Sequence, residues 1–167
     1  MTESKAKNPS SSHRYISFSL AGKEYAIPLL SVKEVIAIPE ITLTPFSPAH
    51  FLGITNLRGQ IIPIMDLRLK MGFTANNTPE TVVIICDLQG INLGIMVDSV
   101  NSVISPESNE IAEAPDMESY RDTEYILGIY KQEKMLTLII DLGKLLDSPD
   151  FKFLKSQQSH KADSEAA

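Results

Sequence analysis

The side chains in this sequence with the chemistry to act as nucleophile, general acid or base, or metal ligand are spaced in ways that assign them no such work. Cys86 is the only cysteine. It lies in the apolar run Val82-Val83-Ile84-Ile85-Cys86, so it reads as a small buried hydrophobe rather than a reactive thiol. It also leaves no intrachain disulfide, which suits a reducing compartment. Of the three histidines, His13 and His160 fall in polar terminal stretches, and His50 stands alone between Pro48 and Phe51 as an ordinary loop residue. Seven carboxylates crowd into 107–124 (Glu107, Glu110, Glu113, Asp116, Glu118, Asp122, Glu124) against Arg121 alone. They lack the Asp-x-Asn/Asp-x-Asp-Gly spacing that wraps oxygen ligands around calcium, and the segment reads as a solvated face. No Gly-x-Ser-x-Gly elbow, Walker loop, His-x-x-x-His pair or Cys-x-x-Cys is present. The sequence therefore assigns no catalytic residue, metal or cofactor. A small enzyme using the acidic face is the remote alternative.

The elements that position these residues come in two copies. Ile16, Leu20, Gly22, Ile27, Ser31, Val32, Val35 and Ile36 recur 68 residues later as Ile84, Leu88, Gly90, Ile95, Ser99, Val100, Val103 and Ile104. Leu52, Gly53, Ile54, Ile64, Asp66 and Leu67 recur 75 residues later as Leu127, Gly128, Ile129, Ile139, Asp141 and Leu142. Solenoid units repeat at about 20–50 residues, so this is a duplicated subdomain. Copies spanning 15–73 and 81–147 are each marginal in size and are expected to pack as one unit over 14–147. Asp66 and Asp141 sit in equivalent settings, whereas a catalytic acid–base pair needs different ones to separate its pKa values. Both suit the start of a short helix, accepting backbone N–H bonds and opposing the helix dipole.

Within each copy, short alternating runs separated by turn signals predict strands. Tyr15–Leu20 and Glu24–Leu29 form one hairpin, Thr81–Leu88 and Ile91–Val97 its repeat. Each leads into a brief helix or irregular strand carrying Val32, Val35 and Ile36, or Val100, Val103 and Ile104. A strand pair closes each copy, Gly53–Leu57 with Gln60–Met65 and Leu127–Tyr130 with Met135–Ile140. This is an all-β pattern that fits two five-stranded barrels in tandem, with short helices and a C-terminal helix over 148–156 that opens near Pro149. Residues 1–13 and 157–167 are polar and read as flexible tails. The net charge of −6 is concentrated in the body of the chain, since the first fourteen residues carry Lys5, Lys7 and Arg14 against Glu3. That argues against nucleic acid as a partner. No apolar run is long enough for direct membrane insertion, and a cytoplasmic protein is expected.

The difference between copies is as informative as their likeness. Arg58 stands in an apolar strand–turn–strand context where an unpaired charge is costly to bury. Its counterpart is Glu133, and that of Glu34 is Ser102. An acid and a base missing together from the second copy predict that Glu34 and Arg58 form a pair.

The run Phe51-Leu52-Gly53-Ile54-Thr55-Asn56-Leu57-Arg58-Gly59-Gln60-Ile61-Ile62-Pro63-Ile64-Met65-Asp66-Leu67-Arg68 resembles the signature of the CheW-like domain family. Supporting segments include Val32-Lys33-Glu34-Val35-Ile36, Gly94-Ile95-Met96-Val97-Asp98 and Glu124-Tyr125-Ile126-Leu127-Gly128. The resemblance implies two SH3-like five-stranded β-barrels around separate cores, with a groove where they meet and possible strand exchange between them. It implies a non-catalytic adaptor that couples the cytoplasmic tips of methyl-accepting chemoreceptors to the regulatory domain of the histidine kinase CheA, recruited to receptor arrays at the membrane and able to assemble in rings with CheA or further CheW. A paralogue serving a CheA-like kinase in motility or gene control is the alternative. By resemblance, Val32, Glu34, Gly53, Arg58 and Val82 are receptor-binding candidates, and Ile38, Ile41 and Leu43 are kinase-binding candidates. Val32 and Gly53 recur in the second copy, so a purely structural role competes with contact at both.

Overall fold

The computed structural model describes residues 14–113 and 124–166, with side chains described as far as 157. Eleven strands and three helices follow in order: β1 (Tyr15–Leu20), β2 (Lys23–Pro28), β3 (Val32–Ala37), β4 (Phe51–Leu57), β5 (Gln60–Asp66), α1 (Leu67–Lys70), β6 (Val82–Leu88), β7 (Ile91–Val97), β8 (Ser99–Ile104), β9 (Ile111–Ala112), β10 (Ile126–Gln132), β11 (Met135–Ile140), α2 (Leu142–Leu145) and α3 (Ser148–Ala166). The segments after the two hairpins are thus strands, the first preceded by a 3-10 turn over Leu29–Ser31. The C-terminal helix does not end at 156: it runs on to Ala166, through residues whose polar composition had suggested a tail.

The strands form two sheets, ordered β8-β1-β2-β11-β10-β9 and β3-β6-β7-β5-β4. Each sheet mixes the copies. The β1–β2 hairpin of the first copy pairs with β8 and β11 of the second, and the β6–β7 hairpin of the second copy pairs with β3 and β5 of the first. The exchange is reciprocal, so neither copy alone supplies a complete SH3-like barrel. The sheet β3-β6-β7-β5-β4 forms barrel one, and the other sheet forms barrel two.

Barrel one closes across its edges. After β3 the chain returns along β4, where Thr42 and Ile54 exchange backbone bonds of 2.8 and 2.9 Å. Thr55 adds a side-chain bond of 2.8 Å to the Glu40 carbonyl. The β9–β10 pairing of Ile111 and Ala112 with Tyr130 and Ile129 does the same for barrel two.

Strand periodicity explains where the core lies. On β6 and β7, Val83, Ile85 and Met96 face a small cluster inside barrel one with Ile62 and Ile64, while Ile84, Cys86, Leu93, Ile95 and Val97 face the other way. Strands buried on both faces read as continuous apolar runs, and Val82–Cys86 is one. The outward set meets Ile16, Phe18, Leu20, Tyr25 and Ile27 of barrel two, together with Phe153 and Leu154 of α3, in the largest cluster of the protein. Besides a separate interior in each barrel, the dominant core is therefore shared between them. At about 1.5–3 kcal/mol for each large apolar side chain fully buried, that shared layer binds the barrels into one unit.

Candidate functional site

The mouth of barrel one carries the first copy's distinctive chemistry. Leu57 and Gln60 flank a two-residue turn in which Arg58 and Gly59 both have positive φ, 53° and 86°. This is the geometry of a type I′ hairpin, whose twist matches the strands it joins. Asn56 Oδ1 accepts the Gly59 N–H at 2.9 Å, so Asn56 has a local turn role. The turn holds the Arg58 guanidinium toward β3, where it donates to the Glu34 carboxylate. The pair thereby spans the edges of the sheet. Arg58 keeps 69% of its side chain exposed and Glu34 32%, so solvent screens the attraction, and such pairs contribute about 0–1 kcal/mol. Lys33 Nζ donates to Asn92 Oδ1 at 2.9 Å, extending the polar rim. A cavity of about 330 Å³ opens here, lined by Lys33, Glu34, Arg58, Gln60 and Asn92 above Ile62 and Ile85.

The remaining candidates for receptor contact are not gathered at this rim. Plain alternation would put Val32 and Glu34 on one face, but the β3–β6 register shifts between them: Val32 opposes Cys86 and Glu34 opposes Ile85. A bulge of this kind re-aims side chains. It turns Val32 toward the shared core and Glu34 toward the barrel mouth. The same irregularity recurs between Val100 and Ser102 on β8, where Ser102 hydrogen-bonds Ser17 instead of an arginine. Val82, half-buried, also packs against the shared core. Gly53 is buried at φ 143°, and a Cβ there would lie 2.1 Å from the Thr42 carbonyl oxygen and 2.9 Å from Ile41 Cγ2. Its counterpart Gly128 faces the Ile111 side chain at 2.4 Å and the Ala112 carbonyl oxygen at 3.2 Å, without the positive φ.

Of the kinase-contact candidates, Ile38 and Leu43 are exposed, Leu43 by 82%, whereas Ile41 is half-buried against the barrel-one interior. Phe46, which the sequence reading did not single out, is fully exposed and has a positive φ of 60°. Its position between Pro45 and Pro48 was the available signal, since a loop so constrained runs on the surface. Val35 is likewise exposed on the edge strand β3.

Two buried polar clusters support these surfaces. Arg68 and its partners lie at the junction of the barrels. At the foot of α3, Asp150 is fully buried and takes Lys70 Nζ at 2.8 Å and His50 Nε2 at 2.6 Å. Asp147 and Asp150 also exchange backbone-to-carboxylate bonds of 3.1 and 3.2 Å that cap the helix. Burial alone would raise the Asp150 pKa, but the bonds from Lys70, the Asp147 backbone and His50 outweigh it, and the carboxyl titrates below its ordinary value. His50 is thus part of the helix anchor, a role its isolated place in the sequence could not reveal. Asp66 and Asp141 each accept a backbone N–H at the start of a short helix. Burial pushes the Cys86 thiol up to about 12. In the acidic run, Glu107 and Glu110 brace a 3-10 turn, and 114–123 lie outside the described residues.

Residues 14–150, which include all eleven strands and the first residues of α3, match the family model of the CheW-like domain. The chain belongs to the CheW-like domain family. It is 33% identical over 150 residues to the chemotaxis protein CheW of Klebsiella aerogenes, covering 89% of this chain and 90% of that one. It is 37% identical over 136 residues to chemotaxis protein CheW of Bacillus subtilis, covering 80% and 86%. The crystal structure of the scaffolding protein TtCheW from Thermoanaerobacter tengcongensis superposes with a TM-score of 0.75 at 32% identity, covering 83% of this chain and 94% of that one. Among the described residues, no helix is long and apolar enough to cross a membrane.

Proposed function

We propose that this CheW-like protein is a non-catalytic adaptor that couples the cytoplasmic tips of chemoreceptors to the regulatory domain of the histidine kinase CheA. The observation that carries the reading is the Glu34–Arg58 pair, present in one copy only, at the open mouth of barrel one in a chain matched by the family model over residues 14–150. A duplication conserves what the scaffold needs. A charged pair at one of two equivalent mouths, largely exposed and worth little to stability, is suited to recognition.

In this reading the Arg58 rim contacts receptor, Val32, Gly53 and Val82 shape the backbone and packing around it, and the kinase docks on the apolar surface of Ile38, Leu43 and Phe46, with Ile41 supporting that surface from beneath. Recruitment to receptor arrays follows from those two contacts, and the exposed face of edge strand β3 at Val35 leaves room for ring assembly. The test is titration calorimetry of the full chain against the receptor cytoplasmic fragment and the CheA regulatory domain of the same organism. Micromolar or tighter binding to each is expected. Binding to neither would refute the adaptor role, and binding to a different CheA-like kinase alone would assign the protein to another pathway.

A further inference from the structure

Between the barrels lies one side chain whose bonding has no equivalent in the duplicated half. Arg68 on α1 is 1% exposed. Its Nε and Nη2 donate to the two Asp66 carboxylate oxygens, each at 3.0 Å, in a bidentate fork. Nη1 donates to Asp98 Oδ1 and to the Asn76 carbonyl, both at 2.9 Å, and Nη2 also reaches Asn77 Oδ1 at 2.8 Å. The guanidinium is therefore satisfied in every direction by protein groups, as a buried charge requires.

Its partners come from three parts of the chain. Asp66 ends β5 of barrel one, and Asn76 and Asn77 belong to the linker between copies. Asp98 is the single residue between β7 of barrel one and β8 of barrel two. Its other oxygen accepts the Ala21 N–H at 2.7 Å, in the β1–β2 turn of barrel two, and its own N–H donates to Ser19 at 3.0 Å. A continuous hydrogen-bonded path thus runs from barrel one through Arg68 and Asp98 into barrel two. The duplication supplies the contrast. The position matching Arg68 is Gly143, and the position matching Asp98 is Leu30, which lies at the other crossover between sheets and is 71% exposed. One crossover is braced, and among the described residues its counterpart has no such brace.

We propose that Arg68 is a positioning residue: through Asp66 and Asp98 its guanidinium fork fixes the angle between the two barrels, and hence the relative placement of partners bound to different faces of the adaptor. The first part stands on geometry alone, and the second rests on the adaptor reading given above. Lysine cannot replace it, because one ammonium has no planar fork to engage Asp66 bidentately while reaching Asp98.

The test uses the full chain with spin labels at Ala37→Cys on β3 and Lys131→Cys on β10, both exposed positions, with Cys86 left unlabelled because it is buried. Pulsed electron resonance should give a narrow distance distribution in the parent. In R68Q and R68K the distribution should broaden or shift while circular dichroism stays native. The same variants should bind receptor fragment and kinase domain singly within about twofold of the parent, yet lose about tenfold or more in holding both at once, because simultaneous engagement depends on geometry. If R68Q does not fold, D98N carries the distance test, since it leaves Arg68 paired with Asp66. Folded variants with the parental distribution, or a parental distribution in D98N where R68Q is unfolded, would overturn the brace. A changed distribution with an unchanged ternary complex would overturn its role in coupling. Loss of both binary affinities in the parent itself would instead count against the adaptor reading.

Discussion

Gly53→Ala separates contact from packing at a position where the family resemblance suggests receptor binding. The added Cβ would stand 2.1 Å from the Thr42 oxygen and 2.8 Å from its carbonyl carbon, both backbone atoms, on a backbone with φ 143°. Neither conflict has a cheap escape. A side chain in this nearly glycine-only conformation costs about 1–3 kcal/mol, and forcing atoms into a packed site about 1–3 more, so a loss of about 4 kcal/mol is expected. With a urea m-value of about 2 kcal/mol per molar, the denaturation midpoint falls by roughly 2 M. Gly128→Ala should cost less, because its nearest obstacle is the movable Ile111 side chain at 2.4 Å, with the Ala112 oxygen at 3.2 Å. Gly59→Ala, with nothing within 4 Å of the added carbon, should cost only the left-handed backbone penalty, about 1–2 kcal/mol. Urea titrations of the three variants, with receptor binding measured on the folded fraction, decide the matter. If Gly53→Ala keeps its midpoint and still loses receptor binding, Gly53 is a contact residue and the packing argument is wrong.

Arg58→Asn should leave the melting temperature almost unchanged, because asparagine suits the type I′ turn and the exposed ion pair is weak; receptor affinity should fall tenfold or more, about 1.4 kcal/mol, by calorimetry. Phe46→Asn should raise stability by about 0.5–1 kcal/mol by placing a residue tolerant of positive φ at an exposed position, while weakening kinase binding, as read by denaturation and pull-down. Asp150→Asn should destabilise by about 2–3 kcal/mol, because the half-buried Lys70 loses its closest carboxylate and keeps only the exposed Asp147 at 3.3 Å. Because the folded Asp150 pKa is lowered, its stabilisation is complete above the unfolded value, about 3.9, and is lost as pH falls through the folded value. The parent should therefore lose stability along an acid limb below about pH 4 that flattens in Asp150→Asn, measured by urea titration at successive pH values.

Alternation and turn residues placed the hairpins and the closing strand pairs correctly, because a period of two and the Ala-Gly, Arg-Gly and Gln-Gly turns are local properties. The divergence between copies brought Glu34 and Arg58 together on paper, and they are in contact. The end of α3 was misjudged because polar composition says little about a helix whose first turns are anchored by Phe153, Leu154 and Asp150. Arg68 lay within the quoted signature, but nothing in Asp66-Leu67-Arg68 indicates that its other carboxylate is Asp98, thirty residues away.

By itself, then, the sequence determined the all-β class, the duplication, the family and the Glu34–Arg58 pair, which the second copy lacks. Each depends on residue type and spacing along the chain. Only the tertiary structure decided that the hairpins are exchanged, that the largest core is shared between barrels, that a bulge turns Val32 away from Glu34, and that Arg68 bridges the two sheets. The physical reason is that strand pairing and buried-charge satisfaction are contracts between distant segments. Two copies with nearly the same hydrophobic pattern fit either sheet equally well by periodicity, and only packing in three dimensions chooses between them.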